Sequence, residues 1–305
     1  MRRGIAIASI AVASLLPAAA AALDAIDDAG TTVTLARPPS RIVTLAPSLT
    51  ELVFAAGAGA RIVGTTALSD YPEAARRIAR IGDASRLDVE RVLALQPDLV
   101  IAWQRGNLGR EIAQIAAAGV PVFQLEPRRL DDVPRAIERL GVLLGHDGAA
   151  RESAGQLRAS LVRLRQRHAN AEPVRVFYQV WPSPLLTVNG AQLIGDVIAL
   201  CGGRNVFAGL GPLVPAVSTE AVVAADPEAI VTANEEGGGA PAWQRATGQP
   251  SLAAWLRHPH LSAVRSGWLY TLNGDLISRP GPRIVAGAEA MCALLDDVRR
   301  ERRGR

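Results

Sequence analysis

Residues 147–171 read DGAARESAGQLRASLVRLRQRHANA, and on both sides of them the chain alternates short β-rich runs with helical patterns. Ala150, Ala154, Leu157, Leu161 and Leu164 recur at spacings of four and three, while Arg151, Glu152, Arg158, Arg163, Arg165 and Arg167 fill other positions. That period predicts an amphipathic helix of about six to seven turns with one narrow apolar stripe. No proline interrupts it, and Gly155 is the one breaker in its interior. A flexible linker is rich in Gly, Ser or Pro. This stretch instead predicts a stiff connector that joins two lobes, restrains hinge motion and leaves a cleft between them.

Working outward, Arg41 to Leu45, Arg61 to Thr65, Asp98 to Ala102 and Val120 to Leu125 read as strands, with helical patterns near 50–57, 88–95, 109–118 and 131–144. The pattern restarts at Val174 to Val180. It continues through a helix near 191–201, strands at Ala229 to Ala233 and Trp268 to Leu272, and a last helix from about Pro282 to Arg299. Such alternation predicts an α/β fold with mainly parallel sheets covered on both faces. The expected organisation is an N-terminal extension (23–40), an N-terminal α/β lobe (41–146), the connecting backbone helix (147–171), a C-terminal α/β lobe (172–300) and a basic tail (301–305). A weak internal repeat ties the lobes together. Glu90-Arg-Val92-Leu-Ala94-Leu-Gln-Pro97 and Glu220-Ala-Val222-Val-Ala224-Ala-Asp-Pro227 share Glu, Val, Ala and Pro at one offset, and each precedes a strand.

Residues 1–22 stand outside this pattern. Arg2 and Arg3, the apolar run Ile5 to Leu16 and the alanines ending at Ala22 describe a signal peptide. The strongly apolar part is shorter than the roughly 20 residues a membrane span needs. No cysteine sits at the exit for lipidation, so the mature chain is expected to be a soluble periplasmic protein. Its formal charge of +4 loses two units with Arg2 and Arg3, leaving +2. A nucleic-acid reader carries a concentrated basic face with interleaved aromatics; here only the tail from Arg299 to Arg305 is basic, which leaves no nucleic-acid partner to expect. Lysine is absent throughout, which removes Schiff-base chemistry and the Walker phosphate grip. The G-x-S-x-G, H-E-x-x-H and G-x-G-x-x-G motifs are missing too. Two cysteines in an exported chain suggest one disulfide between Cys201 and Cys292, the alternative being two buried free thiols.

Several residues could carry function. Asp88 and Ser218 are good helix N-caps, each followed two positions later by a glutamate, Glu90 and Glu220. These carboxylates either stabilise the positive helix ends or present a matched pair to a two-fold symmetric partner. Ser48-Leu-Thr-Glu51 reads as a capping box starting a helix at a strand end, and for Ser48 and Glu51 the structural role is the expectation. Trp103 follows the strand from Leu99, at the carboxyl end where open α/β sheets place their ligand crevice. Tyr178 and Trp181 lie on or just after the first strand of the second lobe, and Asp275 and Arg279 lie after the strand ending at Leu272. An aromatic platform beside an Asp/Arg pair suits a large flat ligand with amide edges. The histidines, His146, His168, His258 and His260, are poorly disposed for a metal. Glu51, Asp70 and Asp275 could act as acids or bases, but no nucleophile–base pair accompanies them, so no enzyme is expected.

The order of these motifs resembles the cobalamin-binding periplasmic proteins of ABC importers, within the helical-backbone metal-chelate receptors (class III periplasmic binding proteins). The likeness runs from about Arg41 to Val298. It rests on Arg41-Ile-Val-Thr-Leu-Ala-Pro-Ser-Leu-Thr-Glu51, Ser69-Asp70-Tyr71-Pro72, Pro97-Asp98-Leu99-Val100-Ile101-Ala102-Trp103 with Gly106-Asn107, Cys201-Gly202-Gly203-Arg204-Asn205-Val206-Phe207, and Asp275 to Arg279 with Pro282-Arg283-Ile284. The resemblance implies a monomeric binder that takes a corrinoid such as vitamin B12, needs no catalytic cofactor and delivers to an inner-membrane ABC permease dimer. It implies ligand contacts from Trp103 and from the loop Asp275, Leu276, Ile277, Ser278 and Arg279. It also implies permease docking through Glu90 and Glu220, and a disulfide at Cys201 and Cys292. Leu68, Ala84, Val214 and Leu276 stand where well-known members carry further cleft aromatics, with Trp181 as a neighbouring replacement. Those departures leave haem or a ferric siderophore as alternative ligands.

Overall fold

A computed structural model describes residues 22–83, 86–106, 109–234, 240–246 and 248–304. The expected leader, apart from Ala22, and the motif positions Ala84 and Asn107 lie outside the described residues. The chain opens with an antiparallel hairpin, β1 (Leu23–Ile26) and β2 (Thr32–Leu35). Ala25, Val33 and Leu35 of this hairpin are buried in the main core. Beyond the first strand, Asp28 accepts a hydrogen bond from the Glu126 amide at 2.5 Å and pairs with Arg139 at 2.7 Å. The segment before residue 41 is therefore packed onto the first lobe.

The N-terminal sheet follows: β3 (Ile42–Thr44), α1 (Pro47–Ala55), β4 (Ile62–Thr65), β5 (Ala79–Arg80), α2 (Val89–Ala94), β6 (Leu99–Trp103), α3 (Gly109–Ala117), β7 (Val122–Leu125) and α4 (Asp132–Leu144). Its strand order is β5-β4-β3-β6-β7, every pair parallel. β6 is a continuous apolar run buried on both faces up to Ala102, as a central parallel strand should be. The expected capping box at Ser48 is overturned. α1 begins at Pro47 with Ala46 at the N-cap and no side-chain cap, because proline at the first helical position is already set at the helical φ and has no N–H to satisfy. Glu51 is thereby left free to reach elsewhere.

The connector is a single helix, α5 (Asp147–His168), of 22 residues. All five stripe residues are buried. They belong to one core that also holds Ile42 and Leu99 of the first sheet and Val174 and Val231 of the second. A fully buried leucine is worth about 1.5–3 kcal/mol, so the stripe clamps the helix to both lobes. α5 doubles back along α4, and the helices approach closely at Gly141, where a Cβ would lie 2.2 Å from that of Ala150.

The second lobe comprises β8 (Val174–Gln179), the short hairpin β9 (Trp181–Pro182) and β10 (Leu185–Leu186), α6 (Leu193–Leu200), β11 (Gly203–Asn205), α7 (Thr219–Ala225), β12 (Ala229–Asn234), β13 (Trp243–Arg245), α8 (Ser262–Ser266), β14 (Leu269–Asn273), α9 (Gly274–Ile277) and α10 (Ile284–Arg303). Its sheet order is β11-β8-β12-β14-β13, parallel except for the antiparallel edge strand β13. Cys201 and Cys292 form a disulfide, S–S 2.05 Å, tying the end of α6 to α10 across 91 residues of chain. α10 runs past Arg299 into the stretch read as a basic tail. Glu301 accepts a hydrogen bond from Trp268 Nε1 at 2.8 Å, and Arg302 pairs with Glu172 at 2.7 Å and Glu228 at 3.0 Å. These contacts carry the helix through Arg303.

Candidate ligand cleft and docking residues

The carboxyl ends of the parallel strands of both sheets carry the candidate residues. α1, with Glu51, follows β3; Leu68, Asp70 and Tyr71 follow β4; Trp103 ends β6. In the second lobe Trp181 follows β8, and Asp275 to Arg279 follow β14.

The two lobes meet through charge. Arg279 donates from Nη2 to Asp275 at 2.6 Å within its own lobe, and from Nη1 to Asp70 of the other lobe at 2.9 Å, with Glu51 at 3.5 Å. Arg283 grips Glu51 in bidentate fashion, Nη2 to Oε1 at 2.6 Å and Nε to Oε2 at 3.1 Å, and lays its guanidinium over the Tyr71 ring at 4.4 Å. Gly281 lies so close to α1 that a Cβ there would stand 3.2 Å from Glu51 Oε2. Burial pushes the Glu51 carboxyl above its ordinary range, an effect that Arg283 and Arg279 reduce without cancelling. For Asp70 burial acts upward as well, but the hydrogen bond and charge of Arg279 outweigh it and hold the carboxyl below its usual range.

Exposed apolar groups at the same strand ends and loops are Leu68 (70% exposed), Tyr71 (47%), Trp181 (48%) and Trp103 (37%); Val214 is exposed as well. The Trp103 ring packs on Gly106, where a Cβ would overlap it. Two expectations need correction. Tyr178 is no platform; its ring is fully buried, the Ser278 hydroxyl is its hydrogen-bond partner, and burial drives the phenol well above its normal range. Ile277 is fully buried in the core, so its side chain is not presented to the cleft, whereas Leu276 is half-buried and Ser278 exposed. Successive side chains on the turn of α9 point about 100° apart, so Ile277 faces the core while Leu276 and Ser278 on either side do not.

Glu90 and Glu220 are exposed in the first turns of α2 and α7. Asp88 accepts the Arg91 amide at 2.9 Å and Ser218 that of Ala221 at 3.2 Å, so the two helix starts are built alike. The internal repeat is reproduced in the backbone. Among the described residues the two non-glycine positions with positive φ are Gln96 (48°) and Asp226 (40°), at the same place in each unit, just before β6 and β12. The histidines are otherwise engaged or at the surface: His168 is buried between the Leu164 carbonyl (3.0 Å) and Asp296 (3.2 Å).

In sequence Glu51 reads as part of a capping box or as an acid–base group, and no role attaches to Arg283 or Tyr71. A carboxylate between Leu49, Leu52 and Val53 on the buried face of a helix was the available signal, since a buried charge demands a partner. Arg283, 232 residues away, could not be named as that partner from local pattern.

The sequence matches the pattern of the periplasmic binding protein family over residues 42–276. It is 36% identical over 259 residues to the vitamin B12-binding protein of Photorhabdus laumondii, spanning 85% of this chain and 89% of that one. The vitamin B12-binding protein of Yersinia pestis (strain Pestoides F) is 36% identical over 263 residues, 86% and 89% of the two chains. Among solved structures, the periplasmic vitamin B12 binding protein BtuF of Vibrio cholerae superposes with a TM-score of 0.75 at 32% identity, covering 86% of this chain and 98% of that one. The periplasmic heme-binding protein RhuT from Roseiflexus sp. RS-1 superposes with a TM-score of 0.72 at 26% identity, covering 85% and 99%.

Proposed function

Because the chain belongs to the periplasmic binding protein family, we propose that it captures cobalamin or a related corrinoid between its lobes and delivers it to an ABC-type permease. It is a transport receptor and not an enzyme. The observation that carries the reading is the 36% identity to vitamin B12-binding proteins over most of both chains. The chemistry of the cleft agrees with such a ligand. A corrin is broad and flat with amide side chains at its rim. Exposed Trp103, Trp181 and Leu68 offer apolar faces to the ring. The Asp275 carboxylate can accept from an amide N–H, and the Arg279 guanidinium can donate to an amide carbonyl. Export by cleavage after the leader would place the chain in the oxidising periplasm, where a disulfide such as Cys201–Cys292 persists.

Glu90 and Glu220 serve as the docking pair in this reading, one per lobe, meeting arginines on the two halves of the permease. Replacing both by alanine abolishes uptake and leaves ligand affinity unchanged; surviving uptake refutes the docking role. For the ligand, calorimetric titration of the mature protein with cyanocobalamin should show saturable binding. A second reading, haem, is favoured by one feature: Tyr71 presents an exposed phenol, a known type of haem ligand, beside the Arg283 cation. No heat with cobalamin or cobinamide, together with a Soret shift on adding haem, would transfer the assignment.

A further inference from the structure

We propose that Asp70 is a positioning residue of the binding site: in the free protein it holds the Arg279 guanidinium across the cleft, and ligand competes with it for Arg279 Nη1. The proposal rests on the cleft being the corrinoid site.

The lobes are joined by two rungs of unequal kind. The inner rung, Glu51 to Arg283, is bidentate, and the Glu51 side chain is only 1% exposed. Gly281 seats against that carboxylate, close enough that a Cβ would stand 3.2 Å from its Oε2. Opening this rung would strip the buried Glu51 of its bidentate partner and leave it the 3.5 Å contact with Arg279, which is unfavourable for a buried charge. The outer rung, Asp70 to Arg279, is a single contact of 2.9 Å, and the Asp70 side chain is 32% exposed. Asp70 also accepts from its own backbone N–H, so its carboxylate keeps a partner when Arg279 leaves and water can take the rest. The inner rung is thus a fixed weld and the outer rung the one that opens.

Division of labour within the guanidinium supports the same point. Nη2 is anchored to Asp275 at 2.6 Å, on the same lobe and four residues away, while Nη1 is the group that reaches Asp70. Losing Asp70 leaves Arg279 anchored to Asp275 and leaves Nη1 with only the longer, 3.5 Å contact to Glu51. Asp70 lies in the chain between Leu68 and Tyr71, both exposed. Charge count adds to this. Three carboxylates (Glu51, Asp70, Asp275) face two guanidiniums, so neutralising Asp70 leaves two against two and strands no buried charge.

The test compares wild type with Asp70→Asn by calorimetric titration with cyanocobalamin. A partly exposed ion pair that competes with ligand is worth a few-fold, so the variant should bind about two- to five-fold tighter. In an Arg279→Ala background the same Asp70→Asn change should have no effect on affinity. Weaker binding by Asp70→Asn, or an equal gain without Arg279, overturns the proposal. A ligand-free measurement separates this from the choice of ligand. Amide hydrogen exchange at Ser278 and Gly281, which donate to the Gly274 and Arg279 carbonyls, should quicken in Asp70→Asn. Unchanged exchange refutes the latch even if wild type gives no heat with cobalamin, a result that would separately refute the corrinoid reading.

Discussion

Removing the disulfide is the perturbation whose size the structure sets most directly. Cys201 and Cys292 close a loop of 91 residues, and the chain-entropy relation then gives about 4.6 kcal/mol of stabilisation at 25 °C, acting through the unfolded chain. Unfolding entropy near 2.1 cal/mol/K per residue gives about 0.6 kcal/mol/K for the roughly 270 described residues, so Tm should fall by about 8 °C. The double variant Cys201→Ala/Cys292→Ala is followed by differential scanning calorimetry, with wild type in reductant as the matching control. Ligand affinity should stay unchanged, because Cys292 lies about two and a half turns along α10 from Arg283. A Tm drop under about 2 °C in both variant and reduced wild type would refute the reasoning, since constraint of the unfolded chain could not then be the bridge's main action.

Glu51→Gln keeps the shape but removes the charge that Arg283 grips, and urea titration should show a loss of about 2–4 kcal/mol; a loss under 0.5 kcal/mol would mean the weld contributes nothing. Trp103→Ala removes an exposed ring at the end of β6, and cyanocobalamin should bind about 3- to 10-fold more weakly, with Tm nearly unchanged. Acid should destabilise the fold. Burial acts to raise the carboxyls of Asp70, Asp98, Asp132, Asp226 and Asp297, yet hydrogen bonds from Arg279, Ser40, Arg135, Ser262 and Arg245 respectively leave each below the ordinary 3.8. Groups with lowered values bind protons less tightly folded than unfolded, so their contribution is full above that ordinary value and vanishes as pH falls through the native ones. Glu51, raised by burial, has the opposite sign and contributes less as pH climbs above 4.5, but it stands against these five Asp carboxyls and against Glu138, Glu172, Glu220 and Glu301, which are lowered as well. Tm should therefore be flat near neutrality and drop below about pH 4; a Tm constant down to about pH 3 contradicts the assignment.

What the amino-acid order determined by itself was everything with a local period or a unique partner. The stripe from Ala150 to Leu164 specifies α5 because a 3.6-residue repeat leaves one apolar face, and that face is the one buried. β6 was legible as an unbroken apolar run and β12 as a short β-rich one, and the chain turns before them at Gln96 and Asp226. The disulfide was legible because only two cysteines exist. Tertiary structure decided the rest. β5, β9 and β10 are two residues long, too short to display alternation, and exist because a neighbouring strand offers hydrogen bonds. Tyr178 and Ile277 look like cleft residues in sequence, and packing turns both into the core. Glu51 looks like a cap and becomes half of an ion pair with a residue 232 positions away, while Asp70 finds Arg279 across 209. Charges meet through space, and attraction between residues so far apart along the chain leaves no mark in the sequence around either one.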